Sequence, residues 1–207
     1  MARKVGTYVA LGDSFTCGTN PERDGRWPDG VAISLGPDVS YANFAKIGAT
    51  SRHVEEEQLE PGLALRPDLV SLICGANDVL ESVRPDPDAF GERLGRMFGR
   101  IREVVPDAAI VTATYPDLSR FVELRERTAA RVRRGMSGFN EACREVAASH
   151  DALVLEWAEH PASGEPEYRA SDGFHPSPEG HRRAAAEVVR TLQQRLGIDT
   201  RRAEEAA

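Results

Sequence analysis

Cysteine is scarce in this 207-residue chain, which holds only Cys17, Cys74 and Cys143. An odd, widely spaced set with no C-x-x-C pair argues against a disulfide framework or a zinc ribbon. Unpaired thiols fit a reducing, cytoplasmic setting. A basic excess is missing too: 26 lysines and arginines face 33 aspartates and glutamates, for a formal net charge of -7. Such a chain lacks the footprint that nucleic acid binding needs, and its acidity counts against anionic substrates. No apolar run approaches the roughly 20 residues of a membrane helix. The apolar stretch from Thr7 to Leu11 is too short for the core of a signal peptide. The expectation is a soluble, cytoplasmic protein with no nucleic acid and no membrane partner.

What is present is ordinary for a globular protein: 41% hydrophobic and 29% charged residues. The length suits one domain, taken as 1–198, with 199–207 as a charged, alanine-rich tail that frays. There is no internal repeat.

Short apolar runs alternate with longer amphipathic ones. Tyr8 to Leu11, Ser40 to Ile47, Leu69 to Cys74, Ala108 to Thr114 and Ala152 to Leu155 read as five strands, most of them continuous enough for burial on both faces. Between the third and fourth, Phe90, Leu94, Met97, Ile101 and Val104 fall on one helical face. Between the fourth and fifth, Val132, Met136, Phe139, Cys143 and Val146 repeat the rhythm, with Gly135 and Gly138 weakening that helix. Ser177 reads as an N-cap before Pro178, and Gly197 as the stop of the last helix. The alternation implies a mostly parallel sheet with helices on both faces. The arginines at 120, 125, 127, 131, 133 and 134, interrupted by Glu123 and Glu126, read as a solvated face, with an anion-binding rim as the alternative.

Chemistry-bearing residues gather after the strands. The first is followed by Gly12-Asp13-Ser14-Phe15-Thr16, the second by Gly48-Ala49-Thr50, the third by Gly75-Ala76-Asn77-Asp78. Ligands of open α/β sheets bind beyond the carboxyl ends of strands, where the strand order reverses. In the order 2-1-3-4-5 that point lies between strands one and three, so Ser14 and Asn77 face each other. A serine needs a base to take its proton. His175, in Asp172-Gly173-Phe174-His175-Pro176 before the last helix, is placed to be that base. Asp172 sits one turn earlier, where it can fix the tautomer and stabilise the imidazolium. Oxyanion donors could come from the Ser14 and Gly48 N–H groups and the Asn77 amide. Bland roles compete: Ser14 and Asn77 could cap helices, Gly48 and Gly75 could serve turns, and Asp172 could shape a loop. Asp13 and Asp78 read as loop-bracing residues and His181 as structural. Cys17 has no histidine motif beside it.

Together these four blocks, in order and spacing, resemble the SGNH (GDSL-type) hydrolase family of esterases, lipases, thioesterases and carbohydrate deacetylases. The resemblance runs from about residue 7 to residue 196. It implies a three-layer, flavodoxin-like α/β/α sandwich of about five parallel strands and no required cofactor or metal. It implies Ser14 as nucleophile, His175 as base, Asp172 as its partner, and Ser14, Gly48 and Asn77 as the oxyanion hole. Threonine at 16, where the elbow of ordinary α/β-hydrolases has glycine, separates the chain from those enzymes. The expected activity is cleavage of a small or short-chain carboxylic ester through a Ser14 acyl-enzyme. An acyltransferase or a carbohydrate deacetylase would use the same triad. A metal-dependent phosphoesterase fits less well, with no early D-x-H and no histidine after Asn77, and a noncatalytic binding protein would not need the complete triad. Specificity is expected from the loops 18–30, 79–88, 115–127 and 156–171, in or beside which lie Trp27 and Trp157.

Overall fold

The buried apolar runs build the sheet. A computed structural model describes residues 3–19, 25–160 and 164–200. Strands β1 (Thr7–Gly12), β2 (Ser40–Asn43), β3 (Leu69–Ile73), β4 (Ala109–Ala113) and β5 (Leu153–Leu155) are all parallel, in the order β2-β1-β3-β4-β5. The register sets Val9 beside Val70 and Ser71 beside Val111. β3 and β4 are buried along their whole length, which is why they read as unbroken apolar runs rather than alternating ones. β2 is shorter than its sequence suggests. The Asn43 side chain accepts from the Ala45 N–H at 3.0 Å, an Asx turn that takes the chain out of the sheet, and Ile47 ends up 66% exposed.

Helices α1 (Ser14–Cys17), α2 (Trp27–Leu35), α3 (Ser51–His53), α4 (Leu59–Leu63), α5 (Ala76–Glu81), α6 (Pro87–Val104), α7 (Glu126–Ser149) and α8 (Pro178–Leu196) complete the α/β/α sandwich. Helix α2 packs on α8, and α6 on α7. The predicted stripes are the buried faces: Phe90, Leu94, Met97 and Ile101 on α6, and Val132, Met136, Phe139 and Cys143 on α7. Gly135 and Gly138 do not interrupt α7. A Cβ at Gly135 would lie 2.7 Å from a Val79 methyl, and one at Gly138 2.7 Å from the Pro87 ring. The propensity lost is exchanged for close approach of α5 and α6. Ser177 accepts from the Gly180 N–H at 3.1 Å as the cap of α8, and Gly197 ends that helix in the left-handed region.

The arginine cluster divides. Residues 120, 125, 127, 133 and 134 are exposed, as expected of a solvated face. Arg131 is half-buried and donates to the main-chain carbonyls of Val79 and Ser82, tying the end of α5 to α7. One contiguous cluster of buried side chains runs from Val5 to Ile198. Asp199 donates its N–H to the Arg3 carbonyl at 2.9 Å; the rest of the expected tail, 201–207, lies outside the described residues.

Between α3 and α4 the chain makes one π-helical turn, Val54–Gln58, in which the Leu59 N–H reaches back to the Val54 carbonyl. Gln58 on that turn is fully buried. Its amide accepts from the Gly12 N–H at 2.8 Å and donates to the Gly12 carbonyl at 2.9 Å. A side chain thus satisfies both polar groups of the residue that ends β1. Gly12 is obligatory there: its φ is +148°, and a Cβ would sit 2.2 Å from the Ile73 carbonyl oxygen.

Candidate active site

Helix α1 begins where β1 ends, and its cap is Asp13. The Asp13 carboxylate accepts from the Phe15 N–H at 2.9 Å, so the Ser14 hydroxyl is not consumed in capping. It meets His175 Nε2 at 2.9 Å instead. His175 Nδ1 meets Asp172 Oδ2 at 2.7 Å. The other Asp172 oxygen accepts from the N–H groups of Phe174 and His175, at 2.8 and 3.0 Å. These bonds fold the loop so that the carboxylate turns onto the ring one turn ahead, and Gly173 permits the bend with φ +71°. Partial burial pushes the Asp172 carboxyl up, but the His175 ring and the two N–H donors outweigh it and hold the group below the ordinary carboxylate range.

The loops after β2 and β3 are stitched together. The Asn77 amide donates to the Ala49 carbonyl at 3.0 Å, with one of its two hydrogens. Asp78 accepts from the Ser51 N–H at 2.8 Å and from its hydroxyl at 2.5 Å, and Arg93 also donates to that hydroxyl. Gly75, not Asn77, occupies the N-cap of α5, with no side-chain capping bond. The capping role left open for Asn77 is therefore absent. Gly48 has φ +76°, and beyond its own chain neighbours no described atom lies within 4 Å of where its Cβ would be. Asn77 and Gly48 come from the strands that flank β1 on either side.

Sequence reasoning read Asp13 as a bracing residue but missed the partners that hold it beneath Ser14. Asp13 is fully buried and accepts from the Tyr115 hydroxyl at 2.7 Å. Asn140 on α7 clamps Tyr115 through both its N–H and its carbonyl, each at 2.8 Å. Burial pushes the Asp13 carboxyl up to about 7, against the pull of the Tyr115 hydroxyl and the Phe15 N–H. The only signal in the sequence was an aspartate beside the serine, with nothing to name its partner. His181 is buried as expected and accepts from the Trp27 N–H at 3.4 Å; burial draws its pKa down to about 4. The Cys17 thiol is half-buried and pushed up by that burial and by Asp13, the opposite of an activated nucleophile. All three cysteines are unpaired.

A cavity of about 120 Å³ is walled by Phe15, Trp27, Tyr115, Trp157, Phe174 and Pro176, among others; Ser14 and His175 themselves do not line it, but their chain neighbours Phe15, Phe174 and Pro176 do. The two tryptophans meet edge-to-face at 5.7 Å, so both pack and line. The loop 79–88 contributes nothing to that wall. Residues 20–24 and 161–163 of the other expected specificity loops lie outside the described residues. Among the described residues, no group of three or more His, Cys, Asp or Glu side chains could hold a metal ion. No helix among them is long and apolar enough to cross a membrane.

The model of the GDSL-like lipase/acylhydrolase family matches residues 10–183, most of the chain and all four blocks. The chain belongs to the GDSL-like lipase/acylhydrolase family. As a GDSL-like protein it is a carboxylic ester hydrolase. No curated protein matches it. Among solved structures, the lipase/acylhydrolase from Enterococcus faecalis is similar at a TM-score of 0.70 and 24% identity, over 91% of this chain and 96% of that one. The extracellular lipase from Streptomyces rimosus gives 0.67 and 21%, over 88% and 97%. The phospholipase A1 from Streptomyces albidoflavus NA297 gives 0.67 and 22%, over 90% and 98%. At these identities the likeness establishes the fold shared with the GDSL proteins.

Proposed function

We propose that this hydrolase cleaves a small or short-chain carboxylic ester through an acyl-enzyme on Ser14, with His175 as base and Asp172 as its orienting carboxylate. The observation that carries the reading is the unbroken chain Ser14 Oγ, His175 Nε2, His175 Nδ1, Asp172 Oδ2, with contacts of 2.9 and 2.7 Å. Asp172 accepts from Nδ1–H, which leaves Nε2 as the lone-pair side facing Ser14. As Oγ attacks the ester carbon, its proton passes to Nε2, and the imidazolium that forms is stabilised by Asp172. The carbonyl oxygen gains negative charge and is met by the N–H groups of Ser14 and Gly48 and by the second hydrogen of the Asn77 amide. Collapse breaks the bond to the alcohol, which leaves with the proton from Nε2. Water then attacks the acyl-enzyme by the same route in reverse and frees the acid.

The cavity walled by Phe15, Phe174 and Pro176, the chain neighbours of Ser14 and His175, supports a small substrate. Its 120 Å³ is near the roughly 150 Å³ of an apolar cavity that admits benzene. The three unpaired thiols favour a reducing compartment, consistent with action in the cytoplasm. Residues 1–198 are proposed to work as one unit.

The test is a fluorophosphonate probe and a panel of acyl and aryl esters, thioesters and acetylated sugars. Ser14 is expected to carry the probe. Ser14→Ala is expected to fold and lose several orders of magnitude in turnover, and activity is expected to survive dialysis against a strong chelator. Near-normal turnover by Ser14→Ala, or a probe adduct elsewhere, would refute the assignment. Loss on chelation that one divalent ion restores would favour metal-assisted chemistry.

A further inference from the structure

We propose that Tyr115 is a positioning residue that sets the Ser14 hydroxyl and the His175 ring against each other. The inference rests on the reading of Ser14 and His175 as nucleophile and base.

Tyr115 follows β4 by two residues, and its main chain is held on both sides by Asn140. An amide that both accepts from and donates to one residue's backbone acts as a neighbouring strand would, so the start of the Tyr115 side chain is fixed to α7. From there the side chain reaches both arms of the site. Its hydroxyl donates to Asp13 Oδ2, while Asp13 Oδ1 holds the Phe15 N–H at the start of α1. That carboxylate links the hydroxyl to the turn that aims Ser14. The ring of Tyr115 meets Phe15 edge-on at 5.1 Å. Phe15 in turn lies 5.6 Å from the His175 ring and 5.5 Å from Phe174, which packs on His175 at 4.8 Å. One side chain therefore touches the nucleophile's turn through its oxygen and the base's support through its ring.

A bland alternative is that a buried hydroxyl merely needs an acceptor. Tyr8 illustrates that case, with the neutral Ser71 hydroxyl at 2.9 Å. Asp13 is different. It is a fully buried carboxylate, and the groups that act on it are Tyr115, the Phe15 N–H and Asp78, none of them a cation. Burying such a group without a counter-charge is expensive. A neutral capping residue would hold Phe15 as well; what the buried carboxyl adds is its second oxygen's bond from the Tyr115 hydroxyl at 2.7 Å. Charge-assisted hydrogen bonds are shorter and more directional than neutral ones. Directionality matters because the proton must cross the 2.9 Å between Oγ and Nε2, and small displacements of reacting groups carry large rate penalties.

Tyr115→Phe removes the oxygen and keeps the ring. Relative to the parent enzyme, kcat is expected to fall about tenfold with KM held within about twofold, because geometry at the reacting atoms is disturbed rather than the substrate's binding surface. The second-order rate of Ser14 labelling by the fluorophosphonate should fall in parallel, since it reads the nucleophile without any ester. In an Asp13→Ala background, Tyr115→Phe should add almost nothing, because the path runs through the carboxylate. A merely structural tyrosine would lower Tm and leave kcat per labelled site unchanged; that result overturns the proposal, as does a full additional loss in the Asp13→Ala background. Should Tyr115→Phe fail to fold, Asp13→Asn and Asp13→Ala decide the case. Asparagine keeps a cap and a polar partner for the hydroxyl, so it should retain about tenfold more turnover than alanine, and equal turnover overturns the proposal. Failure of the parent reading is separate: the probe would then miss Ser14 in every variant.

Discussion

Asp13→Asn should stabilise the protein at neutral pH and leave it unchanged near pH 4. The carboxyl of Asp13 has no exposure and is pushed from 3.8 up to about 7 by burial. Its folded-state pKa is thus raised, and the folded protein binds more protons than the unfolded chain between those values. The neutral group's contribution is fully present below pH 3.8 and is lost as pH rises through about 7. Each pKa unit corresponds to 1.36 kcal/mol, so ionising Asp13 in the fold costs about 4 kcal/mol by pH 8. Asparagine resembles the neutral acid in shape and can still accept from the Phe15 N–H, while the Tyr115 hydroxyl can turn to accept from its amide. The variant should gain a few kcal/mol at pH 8, which for a chain of this size raises Tm by roughly 10 °C. Urea unfolding of both proteins at pH 4, 5.5, 7 and 8 reads the effect as a difference. The difference is needed because His181, whose pKa is drawn down to about 4, has the opposite sign. Buried and neutral, it contributes stability above its unfolded pKa near 6.5, which is lost as pH falls toward 4. The two windows overlap and offset each other in the parent protein. A stability difference that stays flat from pH 4 to 8, or an Asp13→Asn variant less stable at pH 8, would refute this account of Asp13.

The same reasoning predicts that His181→Gln loses less stability than the parent between pH 6.5 and 4, by about 3 kcal/mol, since glutamine can take the Trp27 N–H without titrating; urea midpoints at pH 7 and 4.5 measure it. Asn77→Ala is expected to lower turnover by roughly 10²–10³-fold with ester binding less affected, and Asn77→Asp to be worse, because a carboxylate would face the developing oxyanion. Turnover and Tm measured on both variants check this, and a fully active Asn77→Asp enzyme would remove the amide from the oxyanion hole.

Two glycine positions show how far local signals reach. Gly135 and Gly138 were legible as weak helix formers, yet α7 runs through them because Val79, Pro85 and Pro87 occupy the space their side chains would need. Propensity is a property of the residue, and close approach is a property of the partner. β2 shows the reverse: its apolar run continues to Ile47, but the Asn43 side chain bonds its own backbone and ends the strand.

By itself the sequence determined the strand order's raw material, the buried stripes of α6 and α7, the caps of α8, and the family blocks that put Ser14, Gly48, Asn77, Asp172 and His175 beyond the carboxyl ends of strands. These are local facts. Strand periodicity, a proline after a capping serine and a histidine one turn past an aspartate are all written within a few residues. Tertiary structure alone decided what holds that site. Gln58 meets Gly12 across 46 positions, Tyr115 meets Asp13 across 102, and Asn140 meets Tyr115 across 25. No spacing rule connects such pairs, because each amide or hydroxyl could serve any buried partner the fold brings near. The fold makes the choice by burying these groups away from water, where every N–H, carbonyl and carboxylate must find a partner and only a few are within reach.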